Sequence, residues 1–511
     1  MIPLKTINFN HMNDFYLSPE GFPPKQKLIR LMLLRSNCIL SVAGLILLLL
    51  VSCNNDQPEP PEVGAAMVNI TPPTGYPFYS GTNSIGVKDS LYAKALVFKQ
   101  GDEQGALLIC DLIIIERDLS RLVRDNASQN TGIPFQNITI AATHTHHVPH
   151  HDTIAKTANN YAAKAAEEKL TDEDHESYIS KLIAGMTEAI VRANEQLQEV
   201  ELKTGIGNAP NISFNRRYLL KTGRVLFNPG NLNPLIVEPV GPNDPDVHFV
   251  LFKNNRSDLF NASLTVFASH YAGSVEGAYF SADYPYYLHQ NMKNIFGDQI
   301  ISIFGAGACG DINTRDQAKP ASDTQARREK VAKGLSEAIK NAYTPDKHEE
   351  AEFKIRSKTV CLPLQDYTDQ ELKWAKEGTE PLYPERPFMV NMRRRKILDL
   401  EQIRKTEAIV PIVSGEPWMF PVEIHAIQLT GNTIIITMPG ELFVELGLDL
   451  KKRSPYRNTM IIELANSAIS YIPTLRAFRE GDYEPLNSRL SPGSGEIMVE
   501  EALALLQEIK K

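Results

Sequence analysis

Residues 138–146 read Ile138-Thr139-Ile140-Ala141-Ala142-Thr143-His144-Thr145-His146, a short apolar run that breaks into histidines. Its first five residues have the character of a buried strand. At its end the chain turns polar: five of the twelve histidines, His144, His146, His147, His150 and His151, fall within 144–151. Residues i and i+2 of a strand project to the same side, so His144 and His146 are expected to point into one space. Neutral imidazole is the commonest metal ligand and the usual proton carrier near neutral pH. A pair at this spacing can supply one ligand and one proton donor. The stretch also reads as a polar surface loop that happens to be rich in histidine.

Similar apolar runs recur on both sides. Residues 91–99 and 106–115 precede the histidines, the second so continuously apolar that a buried strand through Ile115 is expected. Further strands are expected at 246–252, 263–268, 299–304, 422–428, 433–438 and 460–464. In 172–199, Ile179, Leu182, Ile183, Met186, Ile190 and Leu197 recur at three- and four-residue steps, which predicts a helix. Residues 324–342 place Val331, Leu335 and Ile339 on one helical face, and a last helix is expected over 495–509. Strands and helices interleave, which predicts an α/β fold of mixed β-sheets covered by helices. The 511 residues would suffice for about three domains. No Gly-Ser or Pro-rich linker divides 68–511 and no internal repeat is visible, so a single large catalytic domain over 67–511 is expected.

Hydrophobic residues make up 42% and charged residues 22%, enough for an ordinary core. The formal charge of −8 and the absence of any recognisable motif speak against nucleic acid. The run Arg393-Arg394-Arg395-Lys396 reads as a solvated helix face. At the N-terminus, Lys25, Lys27, Arg30 and Arg35 precede an apolar run over 39–51 that ends in Leu50-Val51-Ser52-Cys53. The run is short for a membrane span and suits a signal-peptide core. Residues 1–52 are therefore expected to be a lipoprotein signal peptide, with Met32 the more typical start. Cys53 is the lipid-modified residue, and 53–66 form a polar linker. The expected location is that of an exported bacterial lipoprotein at the outer membrane, on its periplasmic or cell-surface face, in contact with the membrane through its anchor. A lone transmembrane anchor is the other reading. Beyond Cys38 and Cys53 only Cys110, Cys309 and Cys361 remain, an odd number that reads as core thiols and not as a disulfide framework.

A catalytic zinc needs about three protein ligands and an open position, so partners for the histidine pair must come from elsewhere in the chain. His270 follows the apolar run Leu264-Thr265-Val266-Phe267-Ala268. Alone it reads equally as a satisfied structural histidine or as a ligand. Glu441 follows Ile434-Ile435-Ile436-Thr437-Met438-Pro439-Gly440, where a carboxylate is hard to explain as core. It also reads as an acid near a helix N-terminus, favoured by the dipole. The glycine-rich stretch Gly305-Ala306-Gly307-Ala308-Cys309-Gly310 is not followed by Lys-Ser/Thr, which excludes a nucleotide P-loop. Cys309 is not read as a nucleophile. Asp311 and Asn313 are expected to shape a loop beside the metal.

The ordered set Thr143-His144-Thr145-His146, Ala268-Ser269-His270, Ala308-Cys309-Gly310-Asp311-Ile312-Asn313, Met438-Pro439-Gly440-Glu441 and Asn466-Ser467-Ala468-Ile469-Ser470-Tyr471 resembles the neutral/alkaline (non-lysosomal) ceramidase family. Asp89 to Val97, Asn215-Arg216 and Gly493-Ser494-Gly495-Glu496 agree as well, so the resemblance spans about 65–511. It implies a zinc ion held by His144, His270, Glu441 and Tyr471. It further implies catalytic hydrogen-bonding or acid groups at His146, Arg216 and Tyr483, and a lipid substrate: hydrolysis of an N-acyl lipid amide, as of ceramide to sphingosine and a fatty acid. Departures are His147-Val148-Pro149 where the family has Ser-Gly-Pro, Ala468 where it has tyrosine, and an expected insertion over 152–174. The family's C-terminal β-sandwich domain is also expected to be missing. Two alternatives stay open. One is a zinc-dependent esterase or deacylase acting on an acylated carbohydrate; the other is a non-enzymatic surface-binding lipoprotein.

Overall fold

A computed structural model describes residues 59–511, apart from 79–81, 150, 152–171, 274–276, 378–385, 407–408 and 410–415. The expected signal segment, Cys53, His150 and most of the insertion expected at 152–174 lie outside the described residues.

Three four-stranded sheets carry the fold, and all three have one topology. The first contains β1 (Glu62–Asn69), β2 (Tyr92–Gln100), β3 (Glu103–Cys110) and β4 (Ile138–Ala142) in that order. β1, β2 and β3 form an antiparallel meander, and β4 joins β3 in parallel after a crossover through α1 (Arg117–Thr131). Helix α2 (Asp172–Glu195) then returns to pack on β1 and against α1. The pattern is repeated with β5 (Val200–Asn208), β6 (Asp246–Asn254), β7 (Phe260–Phe267), α3 (Tyr284–Phe296), β8 (Ile301–Ala306) and α4 (Thr324–Ala342). Again the first three strands are antiparallel, the last pair is parallel, and α4 packs on β5 and α3.

The third unit starts at β9 (Ala351–Pro363), followed by an inserted helical pair, α5 (Asp369–Glu377) and α6 (Pro387–Thr406). It continues through β10 (Met419–Thr430), β11 (Thr433–Thr437), α7 (Val444–Arg453) and β12 (Asn458–Ile462). Two short helices, α8 (Leu475–Glu480) and α9 (Tyr483–Asn487), precede α10 (Ser494–Lys510), which packs on β9 and α7. β11 and β12 are the parallel pair.

The inner faces of the three sheets meet in one apolar cluster to which all three contribute. Phe98 of β2 lies with its ring centroid 6.0 Å from Phe252 of β6 and 5.7 Å from Phe353 of β9, one ring from each sheet. Burial of such side chains stabilises by about 1.5–3 kcal/mol each. The outer faces are covered by helices, α1 to α4 over the first two sheets and α7 and α10 over the third. Such mixed sheets under helices are the α/β class expected from the sequence. No helix among the described residues is long and apolar enough to cross a membrane.

Several expectations change. The threefold βββαβα plan has no visible sequence repeat, because it is conserved in pairing and burial while side chains differ. β1 begins at Glu62 and pairs with β2, so 62–66 are strand and not the end of a linker. The strand expected through Ile115 ends at Cys110. Residues 112–115 are apolar because they form a buried or half-buried loop. The basic run at 393–396 is not simply solvated: Lys396 is buried and donates to Gln365 Oε1, and Arg394 Nε donates to the Ala375 carbonyl. Cys110 and Cys309 are buried thiols, but Cys361 is exposed, since it faces outward on β9.

Candidate metal centre

The parallel pair in each sheet points its strand ends toward one place. His144 follows β4, His270 follows β7, Glu441 follows β11 and Tyr471 follows β12. Among the described residues, His144, His270 and Glu441 form a buried group whose potential ligand atoms lie within 4.8 Å of one another. Nε2 of His144 is 3.3 Å and Nε2 of His270 is 3.1 Å from the same carboxylate oxygen, Oε2 of Glu441.

The proton positions decide what this cluster is for. His144 Nδ1 lies 2.7 Å from the carbonyl of Ile113. A carbonyl only accepts, so Nδ1 carries the hydrogen and the neutral ring presents a lone pair at Nε2. That lone pair faces a carboxylate oxygen, which is also an acceptor. The contact is unfavourable unless a cation or a proton lies between them. Locking the far nitrogen on a backbone carbonyl is how metal-bound imidazoles are oriented. Two imidazoles and a carboxylate are N/O donors suited to zinc and related divalent ions. Burial holds the His270 imidazole down to about 3, with Arg216 and His144 adding to it. Burial alone would raise the Glu441 carboxyl, but His144 and His270 outweigh it and keep it well below the usual carboxylate range. A neutral imidazole and an ionised carboxylate are the ligating forms.

Glu441 is set by a short parallel pairing, Glu441 with Tyr471 and Leu442 with Ile472. The turn before it needs glycine: Gly440 has φ +70, and a Cβ there would come within 2.6 Å of the Ser470 carbonyl oxygen. The Tyr471 ring lies 5.4 Å from that of Tyr483. Burial, with Glu441 second, raises the Tyr471 phenol well above its ordinary range. The Arg216 guanidinium sits 5.4 Å above the Tyr471 ring, donating from Nε to Glu484 Oε1 at 2.9 Å and from Nη2 to the Gly310 carbonyl at 2.6 Å. The structure therefore gathers His144, His270, Glu441, Tyr471, Tyr483 and Arg216 in one buried region.

His146 joins them, though not for the reason the strand pleat suggested. β4 ends at Ala142, and His144 has a left-handed backbone, φ 63, outside any strand. The two rings nevertheless lie 4.9 Å apart, edge to face. Among the described residues, Nε2 of His146 is buried without a hydrogen-bond partner. Burial, then His144 and His270, hold its imidazole well below its usual value. His151 of the same stretch serves the loop. His151 is buried, with Nδ1 2.9 Å from the Pro149 carbonyl and Nε2 3.1 Å from that of Ile114. Non-glycine residues with positive φ gather nearby: His144, Leu464, Asn466, Ser470 and Asp482. Backbone held in this region is strained and is common around functional sites.

Two carboxylates were not singled out by the sequence. Glu484 is fully buried and bridges Arg216 and Arg217, at 2.9 and 2.8 Å. Glu463, also fully buried, accepts from the backbone N–H of Leu442 at 2.8 Å and of Cys309 at 3.1 Å, and from the Cys309 thiol at 3.0 Å. It thereby fixes the segment carrying Glu441. Its signal was readable: a lone carboxylate within Met460-Ile461-Ile462-Glu463-Leu464-Ala465. Asp311 holds the same loop, accepting from Val444 N–H and the Asn215 amide, each in hydrogen-bond range. A cavity of about 970 Å³ opens beside Asp482, lined by Arg224, Arg386, Arg476, Arg479 and Glu480 among others. None of the metal group lines it, so it is not assigned to the chemistry.

No family model matches the chain, and no curated protein sequence matches it. Two solved structures resemble it in fold. One is the neutral ceramidase from Pseudomonas aeruginosa, 16% identical, with a TM-score of 0.64 over 88% of this chain and 75% of that one. Another is a ceramidase complexed with C2, 15% identical, with a TM-score of 0.65 over 88% of this chain and 76% of that one. The chain has a neutral ceramidase-like fold.

Proposed function

We propose that this protein is a zinc-dependent hydrolase that cleaves the amide bond of an N-acyl lipid of the ceramide type. The observation that carries the reading is the His144 lone pair, turned toward Glu441 Oε2 by the bond from Nδ1 to Ile113, a contact that a bound cation would satisfy. The neutral ceramidase-like fold supports the choice of substrate class. His144, His270 and Glu441 would hold the ion, with Tyr471 as fourth ligand. Zinc there would supply Lewis acidity, lowering the pKa of water into the neutral range and polarising a carbonyl.

The chain's own groups do the rest. His146, with Nε2 buried and unpaired among the described residues, would accept a proton from the attacking water and pass it to the leaving amine, an effect of about 10²- to 10⁴-fold. Arg216 brings a positive charge fixed by Glu484, and the Tyr483 hydroxyl is a donor beside Tyr471. Fixed donors of this kind stabilise a developing oxyanion by about 3–4 kcal/mol each. The proposal includes an N-terminal lipid anchor at Cys53, which would hold the enzyme at the outer membrane beside its substrate.

The test is metal analysis with product assay on purified protein. Bound zinc, loss of activity on chelation, its return with zinc, and release of sphingosine from ceramide are expected. Hydrolysis confined to acylated sugars or esters would move the assignment to a carbohydrate deacylase. Failure to bind zinc at all would remove the hydrolase reading.

A further inference from the structure

We infer that Tyr271 is a positioning residue for His146, holding the imidazole by its face so that Nε2 stays free; this rests on the hydrolase reading above. The two rings are stacked, with centroids 3.8 Å apart and planes inclined by 15°. Nothing among the described residues hydrogen-bonds to His146 Nε2. The contrast with His144 is chemical. A bond from Nδ1 to a carbonyl fixes one tautomer, which suits a metal ligand. A face-to-face stack fixes the ring plane without engaging Nε2, so the ring is aimed while that nitrogen is left for another partner.

The stack can position His146 only if Tyr271 is itself immobile, and its backbone is clamped on both sides. The Ser269 carbonyl accepts from the Tyr284 hydroxyl at 2.9 Å. Ala272 N–H donates to Asp283 Oδ1 at 3.0 Å, and the Ala272 carbonyl accepts from Arg327 Nε at 3.0 Å. The Gly273 carbonyl accepts from Arg328 Nη2 at 2.7 Å, and Arg328 forms a buried ion pair with Asp283 at 2.9 Å. One rigid segment, 269–273, thus delivers a metal ligand, His270, and the support for the proton donor.

The experiment compares Tyr271→Phe, which keeps the ring, with Tyr271→Leu, which keeps bulk without a flat face, in the full chain. Tyr271→Phe is expected to stay within about twofold of wild type, while Tyr271→Leu lowers kcat by about tenfold or more with KM and bound zinc within about twofold. In a His146→Ala background Tyr271→Leu should cost nothing further, because the two residues act as a unit. Equal kcat for wild type and Tyr271→Leu, or full additivity with His146→Ala, overturns the inference. A crystal structure of Tyr271→Leu decides it without any assay: a rotated His146 ring supports it and an unmoved ring overturns it. If wild type hydrolyses no N-acyl substrate, the functional reading fails alone, and the ring position still settles the role of the stack.

Discussion

Three imidazoles meet at this site, and each is held differently. His144 is held by its Nδ1 hydrogen, His270 by Glu441, and His146 by a ring face. This predicts different losses on substitution. Glu441→Gln removes the charge that both Nε2 atoms face, so bound zinc should fall below about half an equivalent and hydrolysis should vanish. His144→Ala should behave the same way. His146→Ala should keep its zinc and lose about 10²- to 10⁴-fold in kcat. Metal analysis by mass spectrometry beside the rate assay separates the cases, and loss of zinc from His146→Ala would make that residue a ligand. At this scale much was legible, because His144, His270 and Glu441 are polar residues directly after apolar runs, where burial needs a reason. Glu484 was not legible, because nothing local distinguishes a carboxylate that bridges two buried arginines from one in solvent.

Between elements, the site depends on short loops joining strands of different units. Asn466 shows how. Its N–H donates to the Ile140 carbonyl at 2.8 Å, and its Oδ1 accepts from the Ile140 N–H at 3.0 Å and from Ser120 Oγ at 3.2 Å. The loop that ends in Tyr471 is thereby tied to β4, the strand that ends in His144. Gly440 does the same for Glu441, since a side chain there would strike the Ser470 carbonyl from a left-handed backbone. Gly440→Ala should destabilise the fold by more than about 1 kcal/mol and weaken zinc binding, because the Glu441–Tyr471 pairing must shift. Thermal unfolding and zinc titration check both; an unchanged melting temperature with unchanged affinity would contradict the strain. Strand 106–115 was overextended for a related reason. The carbonyls of Ile113 and Ile114 must leave the ladder to accept from His144 and His151.

Across the whole molecule, three βββαβα units share a core between their sheets, and buried polar groups sit at the seams. His248 of β6 lies 2.7 Å through Nδ1 from Asn458 Oδ1 of β12, joining the second sheet to the third. Burial, with Lys451 adding to it, holds that imidazole down to about 3. Its folded value lies below its unfolded one, so its contribution is complete above about 6.5 and is lost as pH falls toward 3. Asp89 and Asp311, raised to about 6 chiefly by burial, act in the opposite sense between about 4 and 6. His248→Gln should therefore flatten the acid side of the stability curve relative to wild type, measured by urea unfolding from pH 7 to 4. An identical slope in the variant would exclude the role. The sequence by itself determined the fold class, the helix over 324–342, most strand positions and the polar residues at strand ends, because periodicity and apolar runs act over a few residues. Only the tertiary structure decided that His144 and His270 face one carboxylate oxygen of Glu441, 171 residues beyond His270, that three units repeat one plan, and that a tyrosine face supports His146. Those facts depend on how distant strand ends converge once three sheets bury their inner faces together, and no local pattern encodes that distance.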